Sequence, residues 1–141
     1  MRSRVFLDSN VFIHAFEERD SNSNLISDLL NDGELEAVVS GRVVDEVTGY
    51  FRRHHGRALS VEIKEYMLNS CTILLADDIR GQMKRLRGVV KDKDLEQLAA
   101  TRALGLWHLI SYDRHFEPFE EYITPRAFVE STGKKARPGE C

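Results

Sequence analysis

Four short apolar runs, each followed by a stretch of helical periodicity, constrain this chain more than any other feature. They are Val5-Phe6-Leu7, Glu36-Ala37-Val38-Val39, Cys71-Thr72-Ile73-Leu74-Leu75 and Trp107-His108-Leu109-Ile110. Runs this short suit strands buried on both faces, as in a parallel sheet covered by helices. Between them apolar residues recur three and four apart. Val11, Phe12, Ala15 and Phe16 form one stripe, and Leu25, Ile26, Leu29 and Leu30 a second. Val43, Val44, Val47, Tyr50 and Phe51 form a third, a further helix is expected around 59–69, and Leu95, Leu98, Ala99, Ala103 and Leu106 form the last long one. This alternation predicts an α/β fold with a central parallel sheet of four to five short strands flanked by helices. Tyr122-Ile123 would supply the last strand. The punctuation agrees. Ser21-Asn22-Ser23-Asn24 and Ser40 offer N-caps, Asp77-Asp78 can cap the helix after the third run, and Asp94-x-x-Gln97 has capping-box spacing. Gly33 and Gly56 stand at helix ends, and Pro125 fits the first turn of a terminal helix.

With 141 residues, the chain has room for one domain. We read it as spanning 1–131, followed by a disordered basic tail at 132–141 that carries Lys134, Lys135 and Arg137. Lys and Arg number 20 against 23 Asp and Glu, for a formal charge of −3, which excludes a generally basic nucleic-acid binder of the histone type. No apolar stretch is long enough for a transmembrane helix, and Asp8 arrives too early for a signal peptide. The two cysteines, Cys71 and Cys141, cannot build a disulfide framework or a four-cysteine zinc site, so a reducing cytoplasm is expected.

In open parallel sheets, ligands bind beyond the carboxyl ends of the strands. Asp8 follows the first apolar run directly, and Asp113 lies just past the fourth. Each alone is most simply a cap or turn residue. Together they deliver carboxylates to one edge from two strands. Asn10 and Ser111 each lie two residues from their Asp and can orient a carboxylate. Glu46 falls at the border of the Val43, Val47, Tyr50 and Phe51 face, whereas Asp45 falls nearly opposite, toward solvent. Asp92 and Asp94 compete for a fourth place. Three or four carboxylates within a few ångströms stay ionised only when a cation neutralises them. All-oxygen ligands favour Mg²⁺ or Mn²⁺, and such ions assist hydrolysis of phosphate esters.

These residues resemble a PIN-domain ribonuclease, the family that includes VapC-type toxins. Val5-Phe6-Leu7-Asp8-Ser9-Asn10 is similar to its opening strand and D-[ST]-N, and Val43-Val44-Asp45-Glu46-Val47 to its Glu-bearing helix. Asp94-Leu95-Glu96-Gln97-Leu98-Ala99-Ala100 resembles its D-x-x-x-[LI]-A-A helix start, and Ile110-Ser111-Tyr112-Asp113-Arg114-His115-Phe116 its [ST]-x-D-x-x-F strand end. Ile123-Thr124-Pro125 is similar to its C-terminal Thr-Pro segment. The resemblance implies a three-layer fold with one acidic cleft, in which Asp8, Glu46, Asp94 and Asp113 hold Mg²⁺ or Mn²⁺ and carry catalysis, supported by Asn10 and Ser111. Asp92 remains the alternative third carboxylate. It further implies an RNA endonuclease leaving a 3′-hydroxyl and a 5′-phosphate, most simply the toxin of a toxin–antitoxin pair with an antitoxin protein as partner. An RNA-processing or decay nuclease, a non-catalytic RNA-binding scaffold and a small-molecule phosphatase are the competing readings.

Two basic clusters bear on an RNA substrate. Arg52, Arg53, His54, His55 and Arg57 form one; Lys84, Arg85, Arg87, Lys91 and Lys93 form the other, leading into Asp94. Either is ordinarily a solvated helix end. Beside the cleft, Arg52, Arg53, Lys91 and Lys93 would hold RNA phosphates. Arg102 falls on the apolar side of its helix, where a buried ion pair is expected. The histidines, His115 among them, show no metal-ligand spacing. Phe12, Phe16, Leu25 and Leu29 are candidates for contact with an antitoxin, and apolar helix faces of this kind can also bury against a second copy of the chain in a homodimer.

Overall fold

The structure, a computed structural model, describes residues 3–138. Its centre is a five-stranded, all-parallel sheet: β1 (Ser3–Leu7), β2 (Leu35–Ser40), β3 (Cys71–Leu74), β4 (Leu109–Ile110) and β5 (Tyr122–Ile123), in the spatial order β3-β2-β1-β4-β5. Two helices, α1 (Ser9–Glu17) and α2 (Asn22–Asn31), cross from β1 to β2, and α3 (Gly41–His55) with α4 (Arg57–Ser70) from β2 to β3. A 3₁₀ turn at Ala76–Ile79, α5 (Arg80–Leu86) and α6 (Asp92–Ala103) then carry the chain back across β2 and β1 to β4 on the far side. A second 3₁₀ turn, Arg114–Phe116, leads to β5, and α7 (Pro125–Ser131) follows it.

The expected α/β architecture is therefore the one observed, with differences that have local causes. β4 is only Leu109–Ile110: Trp107 is 84% exposed and lies outside the strand, while Leu109 and Ile110 are buried beside β1. Asp77 and Asp78 sit inside a 3₁₀ turn rather than capping a long helix. Asp78 Oδ2 accepts from the Leu75 N–H, and Asp77 pairs with Arg80. Ser21 and Ser40 do cap α2 and α3, accepting from Asn24 N at 3.0 Å and Val43 N at 3.2 Å. The break between α3 and α4 is made by Gly56, whose φ of 93° is a conformation that a side chain resists. Of the segment read as a basic tail, Ala136 packs against the core and the Arg137 N–H donates to Asn22 Oδ1 at 2.6 Å; residues 139–141, including Cys141, lie outside the described residues.

Val5, Phe6, Leu7, Val38 and Val39 are buried along the central strands, which explains their uninterrupted apolar runs. Phe51 anchors α3, meeting Phe16 of α1 edge-on at 5.0 Å between ring centres. On α6, Leu95, Leu98, Ala99 and Ala100 are buried, and that helix packs on β1, β2 and β4. Cys71 is a half-buried free thiol whose burial pushes its pKa up to about 12, so it offers no nucleophile at neutral pH. Among the described residues no helix is long and apolar enough to cross a membrane. Because Phe51 is fully buried and Trp107 is not, Phe51→Ala should cost about 3–5 kcal/mol in a urea titration. Trp107→Ala should stay within about 0.5 kcal/mol of the parent chain.

Candidate active site

The strand order reverses between β1 and β4, and the carboxyl ends of strands at such a reversal are where open parallel sheets take up ligands. Asp8 ends β1 there and caps α1. It is 4% exposed; its Oδ1 accepts from Ser9 N at 2.8 Å and its Oδ2 from Ser111 Oγ at 2.7 Å. Ser111, fully buried after β4, is also bonded from two other sides. Its Oγ accepts from Asp113 N at 2.9 Å and from Asn10 Nδ2 at 3.2 Å. A hydroxyl with both lone pairs engaged has one proton left, and here that proton is directed at Asp8. Asn10 completes the clamp by accepting from Tyr112 N at 3.2 Å. Asn10 and Ser111 thus tie the end of β1 to the turn after β4.

Asp113 and Asp94 stand on the other side of this clamp. Asp113 Oδ1 accepts from His115 N at 2.9 Å and lies 2.9 Å from His115 Nδ1. Asp94 is the third residue of α6, not its cap: the helix begins at Asp92, after Lys91, so the expected capping box does not form. Its position turns it inward. Asp94 is buried whereas Asp92 is exposed, so the geometry places Asp94 beside Asp113 and leaves Asp92 outside. Asp94 Oδ2 is buried without a hydrogen-bond partner. Such an orphaned acceptor is the donor that a cation would satisfy. Asp94, Asp113 and His115 each bring one ligand atom to within 4.8 Å of the others. His115 was not expected. Its signal is local: it lies two residues beyond Asp113, where a 3₁₀ turn folds its ring back over the carboxylate.

Glu46 approaches Asp8 from α3 but is half exposed. Ser9 Oγ lies 3.5 Å from Glu46 Oε2, and Arg42 Nε lies 3.3 Å from Glu46 Oε1. Three of the carboxylates are pushed above their ordinary range. Burial is the main cause at Asp8, outweighing its bonds to Ser111 and Ser9, with the Asp113 charge adding to it. At Glu46, burial acts first and the Asp8 charge second, against the pull of Arg42. Burial and then Asp113 raise Asp94. The cluster is thus short of positive charge, and its oxygen-rich donor set fits a hard divalent ion.

Of the basic candidates, Lys91 and Lys93 are exposed at the start of α6, and their charges bear on Asp94. Arg53 lies on the Glu46 side of α3, where a Cβ on Gly49 would come within 3.3 Å of its Nη1. Arg52 lines a groove between α3 and α4 with Asp45, Arg57 and Lys64. Arg102 forms its ion pair at the surface, not in the core: its Nε lies 2.8 Å from Glu121 Oε2, and its guanidinium sits over the Phe119 ring.

Comparison with known proteins gives a consistent picture. The family model described as PIN domain matches residues 4–115. No match was found among curated protein sequences. Among solved structures, the chain is similar to a toxin–antitoxin complex from Klebsiella pneumoniae, with 21% identity, a TM-score of 0.68, and coverage of 86% of this chain and 97% of that one. It is similar to VapBC-1 from nontypeable Haemophilus influenzae at 16% identity and a TM-score of 0.66, covering 86% and 98% of the two chains. VapC20 of Mycobacterium tuberculosis, a sarcin-ricin loop cleaving toxin, aligns with 18% identity and a TM-score of 0.59 over 81% and 93%.

The raised pKa of Asp94 carries a stability consequence. The unfolded chain loses this proton near the ordinary value of 3.8, and the folded chain loses it later. Metal-free stability therefore falls as pH rises through and above that value. Asp94→Asn removes the penalty. In the presence of a chelator at pH 7 it should raise the melting temperature by about 2–4 °C. The gain should shrink toward zero below about pH 4, as calorimetry at the two pH values would read.

Proposed function

Because the chain belongs to the PIN-domain family, we propose that it is a divalent-metal-dependent endoribonuclease, acting in the cytoplasm as the toxin of a toxin–antitoxin pair. The observation that carries this reading is that the Asp113 charge acts on both Asp8 and Asp94 beyond the ends of β1 and β4, with Asp94 Oδ2 left without a partner. Asp8, Glu46, Asp94 and Asp113 would hold Mg²⁺ or Mn²⁺. When bound, such an ion supplies the charge that polarises a phosphoryl oxygen and eases deprotonation of water. The protein's own part is positional. Ser111 and Asn10 fix Asp8 relative to Asp113, so the two carboxylates need little reorganisation when a substrate phosphate arrives. Lys91 and Lys93 would attract the RNA backbone to the acidic cleft, and Arg53 would do so from the Glu46 side. The products expected are a 3′-hydroxyl and a 5′-phosphate.

An antitoxin partner is supported by the toxin–antitoxin complexes among the similar structures. A groove of about 710 Å³ between α1, α2, α3 and α4 offers Phe12, Phe16, Phe51 and Tyr66 as its apolar lining. Phe16 is 45% exposed, whereas Leu29 is in the core, so the docking candidates reduce to the α1 phenylalanines and partly buried Leu25. A homodimer would have to leave this groove open to the antitoxin.

The four-carboxylate assignment is tested by substitution and RNA cleavage. Asp8→Asn, Glu46→Gln, Asp94→Asn and Asp113→Asn should each reduce metal-dependent cleavage at least about 100-fold. Asp92→Asn should retain cleavage within about threefold, in keeping with ordinary surface substitutions. Expressed alone, the chain should arrest growth, and both Asp8→Asn and co-expression of the adjacent gene should relieve the arrest. Cleavage without growth arrest would favour an RNA-processing nuclease, and absence of both cleavage and metal binding would favour the scaffold.

A further inference from the structure

We propose that His115 supplies a nitrogen ligand beside Asp94 and Asp113, which biases the site toward Mn²⁺ and later first-row ions over Mg²⁺. The inference rests on the metal-dependent reading above and adds a donor that the four carboxylates do not contain.

Three observations carry it. The His115 ring lies against both carboxylates at once: Nδ1 is 2.9 Å from Asp113 Oδ1 and 3.9 Å from Asp94 Oδ2. Donors sharing an octahedral ion at about 2.1 Å are about 3 Å apart when adjacent and about 4 Å apart when opposite, and these separations fall in that range. Second, Asp94 Oδ2 is buried, unbonded and on the side that faces His115. A histidine that only hydrogen-bonded Asp113 would leave this oxygen unsatisfied. Third, the ring is held in place by its backbone. The Asp113 carboxylate accepts from His115 N at 2.9 Å, and Phe116, the next residue, is buried at 1% exposure. The imidazole is thus anchored at the middle residue of a 3₁₀ turn while about half of its side chain remains open to solvent.

The chemistry follows from donor type. Mg²⁺ takes oxygen donors and gives up its waters reluctantly, so a nitrogen in the set adds little for it. Imidazole strengthens binding of Mn²⁺ modestly and of Co²⁺ and Ni²⁺ more, in the usual first-row order. Glu46, on the far side of Asp8 and engaged by Arg42, does not compete for the His115 side of the cluster.

The test uses the full chain stripped of metal, with MnCl₂ and MgCl₂ as probes. Calorimetric titration should show Mn²⁺ binding at least about tenfold tighter than Mg²⁺. Pulsed electron paramagnetic resonance of the Mn²⁺-loaded protein should show a directly coordinated ¹⁴N. His115→Ala should abolish that coupling and weaken Mn²⁺ at least about tenfold. The same change should move Mg²⁺ by no more than about threefold. His115→Asp restores an all-oxygen set, and should bind both ions, lack the coupling and narrow the gap between them. Unchanged circular dichroism in both variants would exclude misfolding, as expected for an exposed side chain. A wild-type spectrum without nitrogen coupling, or an equal loss of both ions in His115→Ala, would overturn the inference while leaving the carboxylate site standing. Failure of the wild-type chain to bind either ion would overturn the metal reading beneath it.

Discussion

Asp8 is a carboxylate almost without solvent, and it is placed there by the strand that organises the sheet. β1 is central, paired with β2 on one side and β4 on the other. The residue that follows it, Asp8, therefore lies where the strand order reverses. Burial works against ionisation, and the Ser9 N–H and the Ser111 hydroxyl work for it. Because Asn10 Nδ2 and Asp113 N donate to both lone pairs of Ser111 Oγ, the hydroxyl proton is left to point at Asp8. The position of Asp113 is set by the same atom. One buried serine thus ties the Asp8 carboxylate to the backbone that carries Asp113.

The remaining acids are arranged by how firmly their elements are held. Asp94 rides on α6, whose inward face of Leu95, Leu98, Ala99 and Ala100 is buried on the sheet. Moving Asp94 would mean moving a helix. The backbone N–H of Arg42, at the start of α3, lies 3.4 Å from Glu96 Oε1 of α6, linking the two helix starts across the top of the sheet. The cost of crowding negative charge is then offset by the apolar core that holds α6 on the sheet. This is the usual price of preorganisation at a site.

Much of this was legible in the sequence, and the exceptions are instructive. The strands were readable because each is buried on both faces, so Phe6, Val38 and Ile110 sit in runs without polar interruption. Asp8 and Asp113 were readable because a strand end is also a sheet edge. Choosing between Asp92 and Asp94 required the true start of α6. Lys91 provides no side-chain cap and Asp94-x-x-Gln97 mimics one, so local spacing pointed to a helix beginning three residues late. His115 was missed because ligand spacing was sought within the histidines, whereas its partners are carboxylates, one two residues away and one on another element. The surface position of Arg102 could not be seen either, since its partner Glu121 lies 19 residues on, beyond any helical repeat.

Glu46 shows how the same cluster can be graded in strength. Unlike Asp8 and Asp94, it keeps roughly two-fifths of its side chain exposed and already has a cation, the Arg42 guanidinium one turn earlier on α3. An exposed pair of this kind is worth about 0–1 kcal/mol, so Arg42 can release Glu46 at little cost. Turning toward Asp8, whose charge already raises the Glu46 pKa, would need a cation between the two carboxylates. Arg42 is itself exposed, and a guanidinium freed from Glu46 would be open to a bidentate partner such as a phosphate. In the proposed reaction Asp8, Asp94 and Asp113 would define the site, and the exposed pair on α3 would adapt it to what is bound.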